Sequence, residues 1–272
     1  MNQRRKTPEE ILREVEAGVE KGYLKIFLGY ASGVGKTFRM LDEARRRCAR
    51  GQDVVLAATQ PQMPREAEPL VQQLEVVPLK EMGQGAVIDI EALIQRHPEV
   101  CLIDGLAYDN PPGARNKTRW EDVRDLVQAG IKVVASVNIQ YIAELQQQVE
   151  TITGKHVTQT VPIAFIRSAN EIEIVDAPAL EALARTPDEQ AGLERRQRQL
   201  LKLREMALVL AADVVDHQLT SYLESHGIKQ QYGTQERILV CITADSNAEE
   251  MLETARLIAL RFYAELVVVN VD

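Results

Sequence analysis

The feature that most constrains this chain is a glycine-rich stretch, Lys25 to Thr37, between an apolar run and a helical pattern. Leu24 to Leu28 has the character of a buried strand, and apolar residues recur at helical spacing after the stretch. Gly33 and Gly35 can adopt the backbone angles that point several N–H groups at one anion, and the positive end of a following helix dipole adds to that field. This order of elements predicts a phosphate-binding loop of the Walker A type.

The loop departs from strict spacing, because Tyr30 stands where the motif has its first glycine and Gly29 lies one residue earlier. It is therefore a variant, and the alternative is a glycine turn followed by a solvated lysine. In the nucleotide interpretation, the ligand is ATP with Mg²⁺: Lys36 reaches the β- and γ-phosphates and the Thr37 hydroxyl ligates the metal. The predicted nucleotide contacts are Gly29, Ser32, Gly33, Val34, Gly35, Lys36, Thr37 and Phe38.

A second candidate residue, Asp104, directly follows the apolar run 100–103. In P-loop folds a buried strand carries such a carboxylate to the magnesium shell. Many buried strands end in Asp, so the predicted metal role of Asp104 depends on the Gly-Lys-Thr loop upstream. The predicted metal residues are Thr37 and Asp104.

Composition excludes some classes of function. The net charge of −8 over 272 residues argues against a nucleic-acid binder, which usually shows a basic field. No apolar run approaches membrane-spanning length, so we expect no direct membrane insertion and a cytoplasmic location. Cys48, Cys101 and Cys241 are far apart in apolar patterns, which predicts buried thiols in a reducing compartment and no zinc site.

Strand patterns alternate with helical ones, which predicts an α/β fold: a P-loop NTPase-type, mainly parallel sheet flanked by helices. The predicted domains are an N-terminal helix over 1–22, a nucleotide-binding domain over 23–220, a linker over 221–236 and a partial α/β unit over 237–272. One strand–helix–strand unit cannot bury both faces of its sheet, which predicts a continuation or self-association. The predicted helices cover 66–74, 89–96, 120–129, 142–152, 188–219 and 249–261, and the later strands 54–58, 100–103, 131–137, 172–176, 238–242 and 266–269.

Several stretches together resemble one family, the N-terminal cytoplasmic domain of KdpD-type potassium-sensing histidine kinases. The resemblance covers roughly 20 to 217, and the segment from Arg237 resembles the start of a universal-stress-protein-like domain. The stretches that carry it are Lys25 to Thr37, Asp104 to Asn110, Pro112 to Arg115, Arg119 to Val123, Ala129 to Ile131, Ser136 to Gln140, Arg204 to Leu208 and Ala212-Asp213.

The resemblance implies an ATP-binding regulatory domain of a two-component system that senses potassium or osmotic stress. It also implies candidate partners: a sensor kinase, a response regulator, a potassium transporter subunit or a second copy of the chain. The transmembrane, phosphoacceptor and kinase segments of the family are not recognisable in this sequence. We therefore expect no autophosphorylation by that route.

The departures from the family pattern bear on hydrolysis. Gly105 stands where the family has a glutamate beside the magnesium aspartate, and Tyr108 and Tyr141 stand where it has histidines. The loop 60–64 reads Gln-Pro-Gln-Met-Pro in place of Glu-Thr-His-Gly-Arg. Acceleration of phosphoryl transfer needs a positioned base and further cationic stabilisation, so we expect nucleotide binding with weak or absent hydrolysis.

Two alternatives stay open. The chain could be an active P-loop NTPase or small-molecule kinase, in which Asp109 or Asp122 would replace the missing glutamate. It could also be a scaffold with a vestigial loop, in which Tyr30 would fill the phosphate site.

Overall fold

The computed structural model describes residues 22–60, 63, 65–83, 85–176, 187–225, 237–243, 246–262 and 264–271. The chain forms two compact units, 1–211 and 212–272. The predicted N-terminal helix lies outside the described residues, apart from Gly22. The part of the predicted linker over 226–236 also lies outside them.

The first unit is an α/β layer structure, as its alternating patterns predict. Its strands are β1 (Tyr23–Gly29), β2 (Val54–Ala58), β3 (Glu75–Val76), β4 (Lys80–Met82), β5 (Gly85–Val87), β6 (Val100–Ile103), β7 (Lys132–Asn138) and β8 (Glu171–Val175). Its helices are α1 (Lys36–Ala49), α2 (Glu68–Val71), α3 (Ile90–Arg96), α4 (Arg119–Gln128), α5 (Gln146–Thr153) and α6 (Ile163–Arg167), followed by the start of α7 (Pro187–Ser225).

Six strands form one parallel sheet in the order β3-β2-β6-β7-β1-β8, which confirms the predicted fold class. Apart from the first residues of β1 and β7, the four strands β1, β2, β6 and β7 are buried, because helices cover both faces. Strand β7 lies between β1 and β6, so the carboxyl ends of these three strands meet at one edge. Ligands of parallel α/β sheets bind at this edge.

Local sequence signals explain the helix that follows Thr118. Glu121 accepts hydrogen bonds from the Thr118 backbone N–H and from its hydroxyl, each at 3.0 Å, and the two residues form a capping box. The chain leaves α4 through Gly130 at a φ of 90°, a conformation that favours glycine. Both ends agree with the predicted helix over 120–129 to within a residue.

Two predicted helices are shorter than the sequence suggests. Over 66–74 the chain makes a 3₁₀ turn, Arg65–Ala67, and only one α-helical turn, α2, because Pro69 lacks the N–H that a longer helix would use. Over 142–152 the α-helix begins at Gln146. The Val161 N–H donates to the Tyr141 carbonyl and the Ala143 N–H donates to the Val161 carbonyl, which keeps Ile142 extended.

The shortest elements cannot be predicted from hydrophobic periodicity. Strands β3, β4 and β5 have three residues or fewer, and α6 has five, so none offers a repeat to detect. Helix α7 contains the predicted helix over 188–219 but continues to Ser225, so the first five residues assigned to a linker are helical. No Gly or Pro lies between Gly192 and Gly227, which explains the extension.

The side chains of α7 in the first unit form a partly buried apolar face. Leu203, Ala207 and Leu210 are buried, whereas Leu193 and Leu200 are only half-buried. The Arg204 guanidinium forms an ion pair with Asp176, just after β8. This stretch of the helix therefore packs on its own unit.

The second unit contains the end of α7, then β9 (Arg237–Ile242), α8 (Ala248–Phe262) and β10 (Glu265–Asn270). Strands β9 and β10 pair in parallel, as a strand–helix–strand unit requires. Leu239 is 61% exposed and Leu257 is 64% exposed. The unit thus leaves apolar side chains uncovered, as its small size predicts.

The prediction of three buried thiols is wrong in two places. Cys101 in β6 is buried, and burial raises the pKa of its thiol to about 12. Cys48 is half-buried and Cys241 is exposed, since β9 lies in a sheet that is covered on one side only. Among the described residues, no helix is long and apolar enough to cross a membrane.

Candidate functional site

The glycine-rich loop has the backbone geometry that anion binding requires. Gly33 has a φ of 82° and Gly35 a φ of 92°, and a Cβ at either position would meet open space. Gly35 is the N-cap of α1, and the backbone N–H groups of its first turn, Lys36 to Phe38, have no hydrogen-bond partner among the described residues. Several donors and the positive end of a helix therefore converge on one open position.

Lys36 lies folded back over this loop. Its ammonium group donates to the Ala31 carbonyl at 3.2 Å and to the Asn138 side-chain oxygen. A Cβ at Gly29 would lie 2.7 Å from Lys36 Cδ and 2.9 Å from Nζ, so glycine there makes room for the lysine. Burial lowers the pKa of Lys36 to about 8, although the nearby Asp104 carboxylate opposes this shift.

Asp104 and Thr37 are brought together from β6 and α1. The Thr37 hydroxyl donates to Asp104 Oδ2 at 2.6 Å. The Ser136 hydroxyl donates to Asp104 Oδ1, and Gln60 Nε2 donates to the same oxygen at 3.2 Å. The carboxylate is fully buried, so these donors replace the water it loses on folding.

Arg119 supports the turn that follows Asp104. Its Nη1 donates to the carbonyls of Asp104 and Gly105, each at 3.3 Å, and its guanidinium lies 4.3 Å from the Tyr108 ring centroid. Burial lowers the pKa of Arg119, and its buried Nε has no hydrogen-bond partner within the described part of the chain. The stacked Tyr108 ring and the two carbonyls stabilise the positive charge of the guanidinium. These contacts fix the turn beside the glycine-rich loop.

A cavity of about 90 Å³ opens beside Lys36 at the carboxyl edge of the sheet. Three departures from the family pattern, Gly105, Tyr108 and Tyr141, lie in its wall, together with Gln60 from the loop 60–64. Ser32, Ser136, Asn138 and Gln159 complete its polar lining. Among the described residues that line it, none is acidic, so the charge that faces the cavity is that of Lys36.

The predicted nucleotide residues do not all lie in this wall. Ser32 and Lys36 line the cavity, and the Val34 side chain lies near Gly29 under the loop. The Phe38 side chain is 46% exposed and faces a separate surface cavity with Phe27, so only its backbone N–H belongs to the anion-binding group.

The residues that the alternatives require lie elsewhere. Burial raises the pKa of Tyr30, with Asp176 adding to the rise and Arg204 opposing it, and the residue does not line the cavity. Asp109 pairs with Thr118 in a β-bridge. Asp122 is buried and accepts hydrogen bonds from two asparagine side chains. Neither aspartate lines the cavity, so neither stands in for the missing glutamate.

The residues present fit a single Mg²⁺ ion. Mg²⁺ prefers one or two protein oxygen ligands together with phosphates and water, and Thr37 and Asp104 supply a hydroxyl and a carboxylate in contact. Among the described residues, no group of three or more His, Cys, Asp or Glu side chains could hold a metal without a phosphate. This donor set therefore suits a metal that arrives with a nucleotide.

Sequence reasoning missed several residues around Asp104. Gln60, Ser136 and Arg119 contact the aspartate or its carbonyl from three different segments. A usable signal existed for two of them, because Gln60 follows β2 and Ser136 lies near the end of β7. Polar residues at the carboxyl ends of parallel strands meet at one edge. Nothing in the local sequence distinguishes Arg119.

Comparison with known proteins identifies the family. Residues 20–215 match the family model KdpD, the osmosensitive K⁺ channel His kinase sensor domain. The sensor protein KdpD of Mycobacterium tuberculosis is 38% identical over 267 residues, which cover 93% of this chain and 31% of the relative. That of Escherichia coli K12 is 34% identical over 271 residues, covering 94% of this chain and 30% of the relative.

A third relative, the putative sensor protein KdpD of Synechocystis, is 31% identical over 261 residues, covering 92% of this chain and 70% of the relative. The chain thus spans about a third of the length of the first two relatives. The family match covers the sheet, the glycine-rich loop, Asp104 and the start of α7. The chain belongs to the KdpD sensor-domain family.

Proposed function

We propose that this chain is an ATP–Mg²⁺-binding regulatory domain of a potassium-sensing or osmosensing two-component system. The observation that carries the proposal is the contact between Thr37 and Asp104 at 2.6 Å, directly beside Lys36. Two segments far apart in sequence place a hydroxyl and a carboxylate next to an open anion site, as Mg²⁺ bound to phosphate requires.

Binding requires only a small rearrangement of the site. Lys36 exchanges the Ala31 carbonyl and the Asn138 oxygen for phosphate oxygens, and the free N–H groups of the first turn of α1 donate to the same phosphates. Thr37 and Asp104 hold the metal, which neutralises phosphate charge when bound. The buried lysine gains a counter-charge, and this gain favours the bound state.

The same site is poorly equipped for hydrolysis. Gly105 has no side chain with which to orient water, and its φ of 84° disfavours any other residue. A Cβ there would lie 2.6 Å from the Tyr108 ring, so the tyrosine occupies the space of a side chain at position 105. The domain therefore holds the nucleotide with weak or no turnover.

In this proposal nucleotide occupancy is a signal to a partner. The relatives are named sensor proteins, and their length leaves room for kinase segments on the same polypeptide. The partners we propose are a sensor kinase, a response regulator, a potassium transporter subunit or a second copy of the chain. The proposed location is the cytoplasm, where ATP and the response regulator are available.

Calorimetric titration of ATP–Mg²⁺ into the wild-type chain and Lys36→Ala tests the proposal, with phosphate release measured on the same samples. We expect micromolar binding to the wild type, at least a tenfold loss in the variant and no release above background. Lys132→Ala is the control, because Lys132 begins β7 at the opposite edge of the sheet. Equal binding by all three proteins, or by none, contradicts the proposal.

A further inference from the structure

Asn138 ends β7, the strand that separates the glycine-rich loop from Asp104. Its Cα pairs with that of Gly29 at the end of β1, and Ser136, two residues earlier, contacts Asp104. The carboxyl end of β7 therefore lies between the glycine-rich loop and the strand that carries Asp104. In the proposed complex, this is the position of the terminal phosphoryl group, which Lys36 and the metal both contact.

The Asn138 side chain is 5% exposed, and its two polar atoms have different surroundings. The Oδ1 atom accepts from Lys36, whereas the Nδ2 amide donates to no protein atom in the described part of the chain. Asn138 nevertheless lines the cavity beside Lys36. Among the described residues the fully buried unpaired side-chain polar atom is Arg119 Nε, so the Nδ2 amide of Asn138 is open to the cavity, where a ligand oxygen can accept its hydrogen bond.

The rest of the cavity wall suits the same ligand. The Tyr141 hydroxyl and the Gln159 amide also line the cavity without protein partners in the described part, and the wall carries no acidic side chain. Its volume of about 90 Å³ exceeds the space that one water molecule needs, about 10–15 Å³ on the same measure. Neutral donors with one lysine form a compartment for an oxyanion.

Resting on the proposed nucleotide function, we infer that this cavity receives the terminal phosphoryl group of a nucleoside triphosphate and that Asn138 distinguishes the triphosphate from the diphosphate. Only the triphosphate reaches the compartment past Lys36, and there the Nδ2 amide donates to one of its oxygens. At the same time the Asn138 Oδ1 atom loses its hydrogen bond from Lys36. The position of Asn138, and of the segment 139–145 that follows it directly, thereby depends on which nucleotide is bound.

The test compares the affinities of ADP and of a non-hydrolysable ATP analogue, both with Mg²⁺, by calorimetry. Asn138→Asp keeps an acceptor for Lys36 but replaces the amide donor by a carboxylate oxygen. We expect the variant to lose at least tenfold in affinity for the analogue relative to ADP, because a hydrogen bond to a charged oxygen becomes a repulsion. Gln128→Glu makes the same change of chemistry at the exposed end of α4 and should leave the ratio unchanged.

Asn138→Ala removes the donor without adding a charge and should reduce the same ratio by a smaller factor, about three- to tenfold. Thermal unfolding of each variant reports whether it is folded. An unchanged ratio in both Asn138 variants overturns the inference, as does a wild type that binds ADP and the analogue equally well. A wild type that binds neither nucleotide overturns the proposed function itself, so the two failures are distinguishable.

Discussion

Nucleotide binding should be coupled to protonation of Lys36. In the nucleotide-free chain burial lowers the pKa of this lysine to about 8 from its ordinary value of 10.5. A bound phosphate supplies the missing counter-charge and should return the pKa to about 10.5 or above. Between these two values the bound form holds a proton that the free form lacks, so binding takes up a proton and weakens as the pH rises.

The expected size follows from the two pKa values. At pH 9 about a tenth of the free chains carry a protonated Lys36 and nearly all bound chains do, so binding takes up about 0.9 proton. At pH 7 both forms are protonated and the uptake falls to about 0.1 proton. Calorimetry at each pH, in two buffers with different enthalpies of ionisation, measures the uptake directly.

A matched variant separates Lys36 from other titrating groups. Lys36→Arg keeps a cation that stays protonated throughout this pH range, so its binding should show uptake near zero at pH 9. Uptake below about 0.2 proton at pH 9 in the wild type would refute the reasoning, since that value requires a pKa above about 9.5 in the free chain. Equal uptake in wild type and Lys36→Arg would assign the proton to another group.

Two further predictions concern stability and are checked by chemical denaturation. Gly105→Ala should destabilise the fold by about 1–3 kcal/mol more than Gly113→Ala, because both glycines have positive φ but only a Cβ at Gly105 meets the Tyr108 ring; equal costs would contradict the contact. Lys25→Met should lower the free energy of unfolding by about 3–5 kcal/mol, because the Lys25 ammonium is buried among three glutamates at 2.8–2.9 Å. The control Lys80→Met removes an exposed ion pair at 3.7 Å and should lower it by under about 0.5 kcal/mol. Similar costs for the two lysines would mean that the buried network contributes nothing.

The long strands and helices of this fold can be predicted from the sequence, whereas its shortest elements cannot. Strands such as β2 and β6 are continuous apolar runs because both faces are covered, and α4 has a capping box at one end and a glycine at the other. Elements such as β3 and α6 have too few residues for a pattern. Their structure depends on tertiary contacts, as the bridge between Ile142 and Val161 illustrates.

The candidate site divides in the same way. The loop, Lys36 and Asp104 carry local signals, and in the structure the Thr37 hydroxyl donates to Asp104. The contacts of Gln60 and Ser136 with Asp104 follow from strand order, which places β2 and β7 on either side of β6. A single sequence does not encode strand order locally, so the positions of Gln60 and Ser136 at strand ends indicate the shared edge but not their contact with Asp104.

The central claim is that Asp104 and the glycine-rich loop form one magnesium–nucleotide site. The most direct measurement is ATP affinity with Mg²⁺ and with EDTA, in the wild type and in Asp104→Asn. We expect Mg²⁺ to strengthen binding at least tenfold in the wild type and to have almost no effect in the variant, whose metal-free affinity should be similar. An equal effect of Mg²⁺ on both proteins would show that Asp104 does not hold the metal and would contradict the account.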